Sequence, residues 1–162
     1  MQMLFQWDLS KDSPEKVIEL FWGNWRRGIR DSPWNLKKDP VPPSKEEQDE
    51  SLQSYANGLF MGTAAAADDI DVVIRRHAEH WRLERMAAVD RNILRLGIYE
   101  LTHRRETPPI VVINEAMEIA RKFSEEESVA FINGLLDQIR KEMQAGNSSS
   151  PPDRTGTGTA HE

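Results

Sequence analysis

The sequence contains no cysteine, so three kinds of structure and chemistry are excluded at once. A disulfide framework, a thiolate metal site and a cysteine nucleophile all require Cys side chains. A chain without them depends on a hydrophobic core for its stability. With 162 residues, of which 38% are hydrophobic and 30% charged, the chain has the length and balance of one ordinary globular domain.

Long hydrophobic runs are also missing. No apolar stretch approaches the roughly 20 residues that a membrane-spanning helix needs. The first residues, Met1 to Asp8, contain neither a basic segment nor a cleavage site, so they do not resemble a signal peptide. The cytoplasm is the simplest location for such a chain.

An excess of positive charge is lacking as well, since the formal net charge is −6. This value argues against a protein that coats nucleic acid by bulk charge. A local basic patch remains open because the two signs of charge are unevenly distributed. Acidic residues concentrate at 46–50 and 125–127, whereas arginines occur in pairs at 26–27, 75–76 and 104–105.

Apolar residues recur every three or four positions along most of the chain, which predicts an all-α fold. No stretch alternates with period two long enough to form a strand. The sequence predicts a short helix at the start, a second helix that begins at Ser13 and Pro14, and one unbroken helix from Ser44 to Trp81. Two further helices are predicted to carry Met86 to Leu101 and Val112 to Phe123. The last predicted helix begins with a capping box at Ser124 and Glu127 and carries Phe131 to Met143.

Two segments fall outside this helical pattern. Residues 32–43 contain four prolines and are predicted to form a surface loop in which Trp34 is exposed. Residues 144–162 consist mainly of Ser, Gly, Thr and Pro without an apolar anchor, which predicts a disordered tail. The folded domain is therefore expected to span residues 1–143.

The start of the chain has an unusual pattern. Met1 to Leu9 is already helical and amphipathic, yet no N-cap precedes it. We therefore expect that the first helix is truncated and that the natural protein begins further upstream.

The sequence offers no credible catalytic or metal site. It has no glycine-rich phosphate loop and no nucleophile elbow. His77 and His80 lie one turn apart with Glu84 nearby, but a convincing third metal ligand is missing. We expect a protein without enzymatic activity, bound metal or cofactor.

Several charged positions have a structural interpretation. Asp68, Asp69 and Asp71 are more plausibly a solvated helix face than a cation site. Glu100 stands among apolar residues in the middle of a helix. An unpaired charge there would be costly, so we expect Glu100 to be buried and paired with Arg95 or Arg91.

Three segments together resemble the bacterial transcription antitermination factors of the NusB family. They are LFQWDL at 4–9, WRLERMAAVDRNILRLGIYEL at 81–101, and a stretch from Pro109 that includes INEA, ARKF and FINGLLD and ends at Asp137. The resemblance covers roughly residues 1–143 and is weak between 10 and 50. It implies a bundle of about seven helices in two small helical subdomains.

The resemblance also implies a function and a set of partners. NusB proteins pair with NusE, a protein of the small ribosomal subunit, and the pair binds the boxA element of nascent RNA. This step loads an antitermination complex on RNA polymerase, chiefly during ribosomal RNA transcription. By position, the resemblance assigns Phe5 and Asp90 to the surface that faces NusE, and Arg95, Lys122, Glu127 and Phe131 to positions at or near the surface that faces RNA.

Physical chemistry is compatible with these roles, because cationic side chains contact phosphates and an aromatic ring can stack on an unpaired base. The residues alone also permit simpler roles. Phe131 could belong to the core, Glu127 to the capping box, and Arg95 to an ion pair with Glu100. Both sets of interpretations remain open from the sequence.

The sequence departs from the family pattern at its start. Family members carry an arginine-rich segment ahead of the first helix, and this chain shows none there. We expect RNA affinity to suffer, because each lost phosphate contact weakens binding. Two alternatives stay open: the helical RNA-binding module of RNA cytosine methyltransferases, which has the same fold, and a purely structural helical protein that forms a homodimer.

Overall fold

The computed structural model describes residues 1–26, 46–78 and 82–147. Within these residues the chain forms seven α-helices and a short 3₁₀ helix, with no strand, so the predicted all-α fold is confirmed. The elements are α1 (Gln2–Ser10), α2 (Pro14–Arg26), α3 (Glu46–Ala65), α4 (Ala67–His77), the 3₁₀ helix (Leu83–Arg85), α5 (Ala88–His103), α6 (Pro109–Phe123) and α7 (Glu126–Asn147).

The helices surround two hydrophobic cores, in agreement with two small helical subdomains. The first core joins α1, α2 and α3 through Met3, Leu4, Val17 and Phe60. The second core joins α4 to α7, and its most buried side chains are Ile74, Ile93, Leu94, Ile98, Ile132 and Leu136. Helix α5 serves both subdomains, since Leu96 packs on the first core while its neighbours fill the second.

Local signals explain where several helices begin and end. The Ser13 hydroxyl accepts the backbone N–H of Lys16 at 3.3 Å, so the predicted cap of α2 is confirmed. Lys11 adopts a left-handed conformation with φ of 60°, and its N–H donates to the Trp7 carbonyl, which ends α1. Pro109 occupies the first turn of α6, where a missing N–H costs nothing.

The unbroken helix predicted from Ser44 to Trp81 is wrong. The structure interrupts it at Ala66, and α4 ends at His77. The Thr63 hydroxyl donates back to the Leu59 carbonyl at 2.7 Å, an interaction that bends helices. The break lets Phe60 enter the first core while Ile70 and Ile74 enter the second.

The predicted capping box at Ser124 and Glu127 is also wrong. Helix α7 begins at Glu126. At its N-terminus the Val129 N–H donates a backbone hydrogen bond to the Glu125 carbonyl. Ser124 instead closes α6, because its N–H donates to the Ala120 carbonyl at 2.8 Å. Its buried hydroxyl has no hydrogen-bond partner in the part of the chain that the structure describes.

Helix α7 reaches Asn147, so residues 144–147 are helical and do not belong to a disordered tail. Several other sequence predictions fall outside the described residues. They are the loop at 32–43 with Trp34, the start of the long predicted helix at Ser44, His80, Trp81 and the tail from 148 to 162.

A network of buried charges connects α1, α4 and α5. Arg95 grips Asp71 with two parallel bonds of 2.8 Å, from Nε to Oδ1 and from Nη2 to Oδ2. Its third nitrogen, Nη1, lies 3.3 Å from Asp8 Oδ1, and Arg91 Nε donates to Asp8 Oδ2 at 3.0 Å. Asn92 donates to the same Asp8 oxygen at 3.1 Å.

Opposite effects act on the Asp8 carboxyl. Burial by itself would raise its pKa, but the hydrogen bond from Arg91 and the charge of Arg95 outweigh burial and lower the pKa to about 2. Asp8 is therefore ionised at neutral pH. Asp71 is likewise buried, at 8% exposure, so its expected place on a solvated helix face is wrong, whereas Asp68 and Asp69 are exposed.

Glu100 does not pair with Arg95 or Arg91, contrary to the sequence prediction. Both arginines are committed to aspartates, and Glu100 lies half-buried near Arg104 and the amino group of Met1. Burial raises the pKa of Glu100, and these two cations oppose the increase. Its partner could not be chosen from sequence because it depends on how α1 packs against α5.

We expect Asp71→Ala to lower the free energy of unfolding by about 3–5 kcal/mol, because it leaves the buried Arg95 guanidinium without its main partner. Urea denaturation monitored by circular dichroism measures this change. The matched control is Asp68→Ala on the same helix, where an exposed carboxylate should matter by less than about 0.5 kcal/mol. Equal effects of the two variants would contradict the structural role assigned to the Arg95–Asp71 pair.

Candidate nucleic-acid and partner interface

Three of the four predicted RNA-facing residues lie at or near the turn between α6 and α7, here called the α6–α7 corner (Lys122, Glu127 and Phe131). Lys122 is exposed in the last turn of α6, and Glu127 is exposed in the first turn of α7. Phe131 follows Glu127 by four residues and so shares its helix face. Its ring is half-buried against the second core. One part of the ring therefore packs in the protein, and the exposed part is open to the predicted stacking on a base.

The charge at the α6–α7 corner is mixed. Arg121 and Lys122 occupy the last turn of α6, while three exposed acidic residues, Glu125 to Glu127, stand at the start of α7. Each group stabilises its own helix end, where the backbone dipole favours that sign of charge. The corner therefore provides one lysine and an aromatic ring for RNA, without a strong positive potential.

Arg95 lies in a different environment from the other predicted RNA contacts. It is 7% exposed, and its donors serve Asp71, Asp8 and Asn92. Its predicted contact with RNA stays a prediction. In this structure Arg95 holds α1, α4 and α5 together.

The two predicted NusE-facing residues lie beside the contact between α1 and α5. Phe5 is half-buried on α1, one turn before Asp8. Asp90 precedes Arg91, which bonds to Asp8. Each of them is thus within one turn of a member of the Asp8–Arg91 contact, and their role in partner binding stays a prediction.

Asp90 is more buried than the sequence suggested. It is 5% exposed in the first turn of α5, and its Oδ1 atom has no hydrogen-bond partner among the described residues. A charge reversal to lysine at Asp90 would therefore destabilise the fold as well, since the lysine would be buried near a helix N-terminus. Only an isosteric substitution can separate binding from folding at this position.

Sequence reasoning missed a cationic surface formed by α4 and the 3₁₀ helix, here called the arginine surface (Arg75, Arg76, Arg82 and Arg85). All four side chains are exposed. Arg75 Nη2 lies 3.4 Å from Glu84 Oε1, which brings the end of α4 and the 3₁₀ helix together. The sequence signal for this surface is the presence of four arginines within residues 75–85.

His77 joins α4 to α7 beside this surface. Its Nδ1 lies 2.8 Å from the Val73 carbonyl, and its Nε2 lies 2.9 Å from Glu142 Oε2. Both partners are acceptors, so both ring nitrogens donate only when the imidazole is protonated. Burial would lower the pKa of His77, but the Val73 carbonyl and Glu142 raise it above the ordinary 6.5.

Within the described ranges, no three His, Asp or Glu side chains converge to hold a metal ion. His77 uses both of its nitrogens in the contacts above, and His80 lies outside those ranges. Among the helices of the same ranges, none is long and apolar enough to cross a membrane.

Sequence comparison relates the chain to one family along nearly its whole folded length. The sequence profile described as NusB family matches residues 1–141. A protein of Koribacter versatilis named transcription antitermination protein NusB is 43% identical over 145 residues, which cover 90% of this chain and 86% of that protein. The protein of the same name from Solibacter usitatus is 45% identical and covers 95% of this chain and 90% of its own length.

Structural comparison leads to the same group of proteins. The crystal form of T. maritima NusB superposes with a TM-score of 0.68 at 32% identity, covering 87% of this chain and 84% of that one. A NusB chain crystallised with NusE and double-stranded RNA superposes with a TM-score of 0.64 at 24% identity, covering 86% and 89% of the two chains. The second likeness concerns the fold alone.

The protonated His77 should make the junction of α4 and α7 sensitive to pH. Because the pKa of His77 is raised on folding, its contribution to stability is fully present below the unfolded value of 6.5 and is lost as pH rises through the higher folded value. We expect His77→Gln to flatten the fall in melting temperature between about pH 6 and pH 9. His103→Gln, at an exposed position on α5, is the matched control and should preserve the wild-type profile.

Proposed function

The chain belongs to the NusB family, and we propose that it is a transcription antitermination factor. In this proposal it binds boxA RNA together with NusE and loads the antitermination complex on RNA polymerase during ribosomal RNA transcription. It acts by binding, without catalysis, in the cytoplasm where nascent RNA and ribosomal proteins meet. The observation that carries the proposal is the family match over residues 1–141.

The named relatives support this proposal over the alternatives that the sequence left open. The Koribacter and Solibacter proteins are both named for transcription antitermination and match at least 90% of this chain. That name favours an antitermination adaptor over a methyltransferase module or a purely structural dimer. The structural neighbour crystallised with NusE and RNA supports the choice of partners.

The α6–α7 corner is the proposed contact for unpaired bases. Lys122 is free to reach a phosphate, since its side chain is exposed at the end of α6. Phe131 presents part of its ring, on which one base can stack. Glu127 stands one turn before Phe131 on the same face, where its carboxylate can accept a hydrogen bond from a base amino group or a ribose 2′-hydroxyl.

The α1–α5 contact is the proposed surface for NusE. Phe5 supplies a half-buried aromatic anchor of the kind enriched in protein interfaces. Asp90 supplies a carboxylate whose Oδ1 atom lacks a partner within the described part of the chain. We assign Arg95 a positioning role, because it fixes α5 against α1 and α4 beneath this surface.

RNA binding by the corner can be tested on the complete chain with NusE present. We expect Phe131→Leu, which keeps an apolar side chain but removes the ring, to weaken boxA binding by about 1–3 kcal/mol. Lys122→Ala should reduce the slope of log affinity against log salt by about 0.7. Fluorescence anisotropy with a labelled single-stranded boxA RNA measures both quantities.

Lys16→Ala, on α2 and exposed, is the matched control for the loss of one positive charge. Thermal melting of each variant shows whether the half-buried Phe131 position remains folded. Wild-type affinity and slope in both variants would remove the corner from the RNA interface. No RNA binding by the wild-type chain, with or without NusE, would overturn the proposed function itself.

NusE binding can be tested with an isosteric change. Asp90→Asn keeps the size of the side chain and removes its charge, and we expect it to weaken NusE binding by about 1.5–3 kcal/mol, the range for hydrogen bonds to charged groups. Isothermal titration calorimetry measures the affinity, and Asp68→Asn on α4 is the exposed control. If Asp90→Asn lowers the melting temperature but leaves NusE affinity intact, Asp90 belongs to folding alone.

A further inference from the structure

We propose that the arginine surface is a second RNA-binding site, which engages the phosphodiester backbone of single-stranded RNA outside the α6–α7 corner. This inference rests on the proposed function and extends it. Arg82 and Arg85 are its central residues, and Arg75 and Arg76 complete the site from the end of α4.

Positive charge predominates in the segment that forms the arginine surface. Four arginines fall within residues 75–85 against two glutamates, one of which, Glu79, lies outside the described residues. Around the α6–α7 corner, by contrast, the two exposed cations Arg121 and Lys122 are outnumbered by the three exposed glutamates Glu125 to Glu127. The net charge of the whole chain is −6, but among the described residues the arginine surface offers phosphates a local excess of positive charge.

Buried side chains and hydrogen bonds hold the backbone beneath the arginines. Ile74 and Leu83 are buried in the second core, so α4 and the 3₁₀ helix pack on the same hydrophobic core. Arg91 Nη1 donates to the Leu83 and Met86 carbonyls at 3.2 and 3.4 Å and so holds the 3₁₀ helix in place. A cationic surface on a fixed backbone loses less entropy when it binds a polyanion.

Intramolecular roles account for only part of this surface. Arg75 and Arg76 stand in the last turn of α4, where the helix dipole favours positive charge, and Arg76 lies near Glu142. Arg82 and Arg85 lie beyond α4 and receive no such stabilisation. Arg85 forms no ion pair with any residue that the structure describes. The charge of Arg82 lowers the pKa of Glu84, but the ion pair of Glu84 is with Arg75.

The phosphate backbone fits this surface better than a base-specific ligand does. The four side chains are guanidinium groups, which bind phosphate oxygens through paired N–H donors. The described residues of α4 and the 3₁₀ helix include no exposed aromatic ring to stack a base, and Trp81, which stands between these helices in the sequence, lies outside the described residues. The surface should therefore add affinity and salt dependence with little dependence on sequence.

The test compares RNA binding by the complete wild-type chain, the double variant Arg82→Ala/Arg85→Ala and a charge-matched control, Lys16→Ala/Arg105→Ala. Both double variants lose two exposed cations, so bulk charge changes equally. Anisotropy with labelled single-stranded boxA RNA and with a scrambled RNA of equal length is measured across a salt series with NusE present. A third variant, Arg82→Lys/Arg85→Lys, keeps the charge.

We expect the Arg82/Arg85 alanine variant to lose about 1–1.5 units of salt slope, equivalent to two phosphate contacts, and to weaken both RNAs by a similar factor. The lysine variant should recover most of this loss, and the Lys16/Arg105 control should keep the wild-type slope. Melting curves establish that the variants fold.

An affinity and slope equal to those of the control would overturn the second site while leaving RNA binding through the corner intact. Loss of NusE binding with an unchanged RNA slope, measured with the RNA alone, would also overturn it, because the arginines would then serve an acidic protein surface. If the wild-type chain binds no RNA under any condition, the proposed function fails first and the second site fails with it.

Discussion

The four-residue ion network of Asp8, Arg91, Arg95 and Asp71 is the interaction on which the rest of the structure depends. It is the point where α1 from one subdomain meets α4 and α5 from the other. Two aspartates balance two arginines, so charges that would be prohibitive alone are compensated within the interior. Leu96 and Met1 provide apolar links between the two cores, and the ion network adds the buried polar contacts that hold α1 against α4 and α5.

Two of the three candidate surfaces, the proposed NusE surface and the arginine surface, lie next to that network. Arg91 bonds to Asp8 and, through Nη1, to the Leu83 and Met86 carbonyls, so the side chain that fixes α1 also holds the 3₁₀ helix. Asp90 precedes Arg91, and Phe5 precedes Asp8 by one turn. Arg91 therefore links the proposed NusE surface to the backbone of the proposed arginine surface.

Periodicity predicted most of the helices because it reflects burial, and burial is what organises each helix. It did not predict the break at Ala66, because one irregular residue leaves the three-to-four spacing on both sides almost in phase. It also failed for the charged side chains. Asp71 resembles Asp68 and Asp69 in sequence, yet only Asp71 faces α5, and the partner of Glu100 depends on the packing of α1. Such pairings are decided by tertiary contacts.

The site residues show the same division between family pattern and physical setting. The family resemblance assigns Lys122, Glu127 and Phe131 to the surface that faces RNA, which stays a prediction, and the structure shows mixed charge around these residues. The motifs say nothing of Arg82 and Arg85, which charge and exposure single out. Recognition of a base requires a defined pocket, whereas attraction of a backbone requires only accessible cations. A protein can carry a net negative charge and still bind RNA if a local group of cations attracts the RNA backbone and a different site recognises a base.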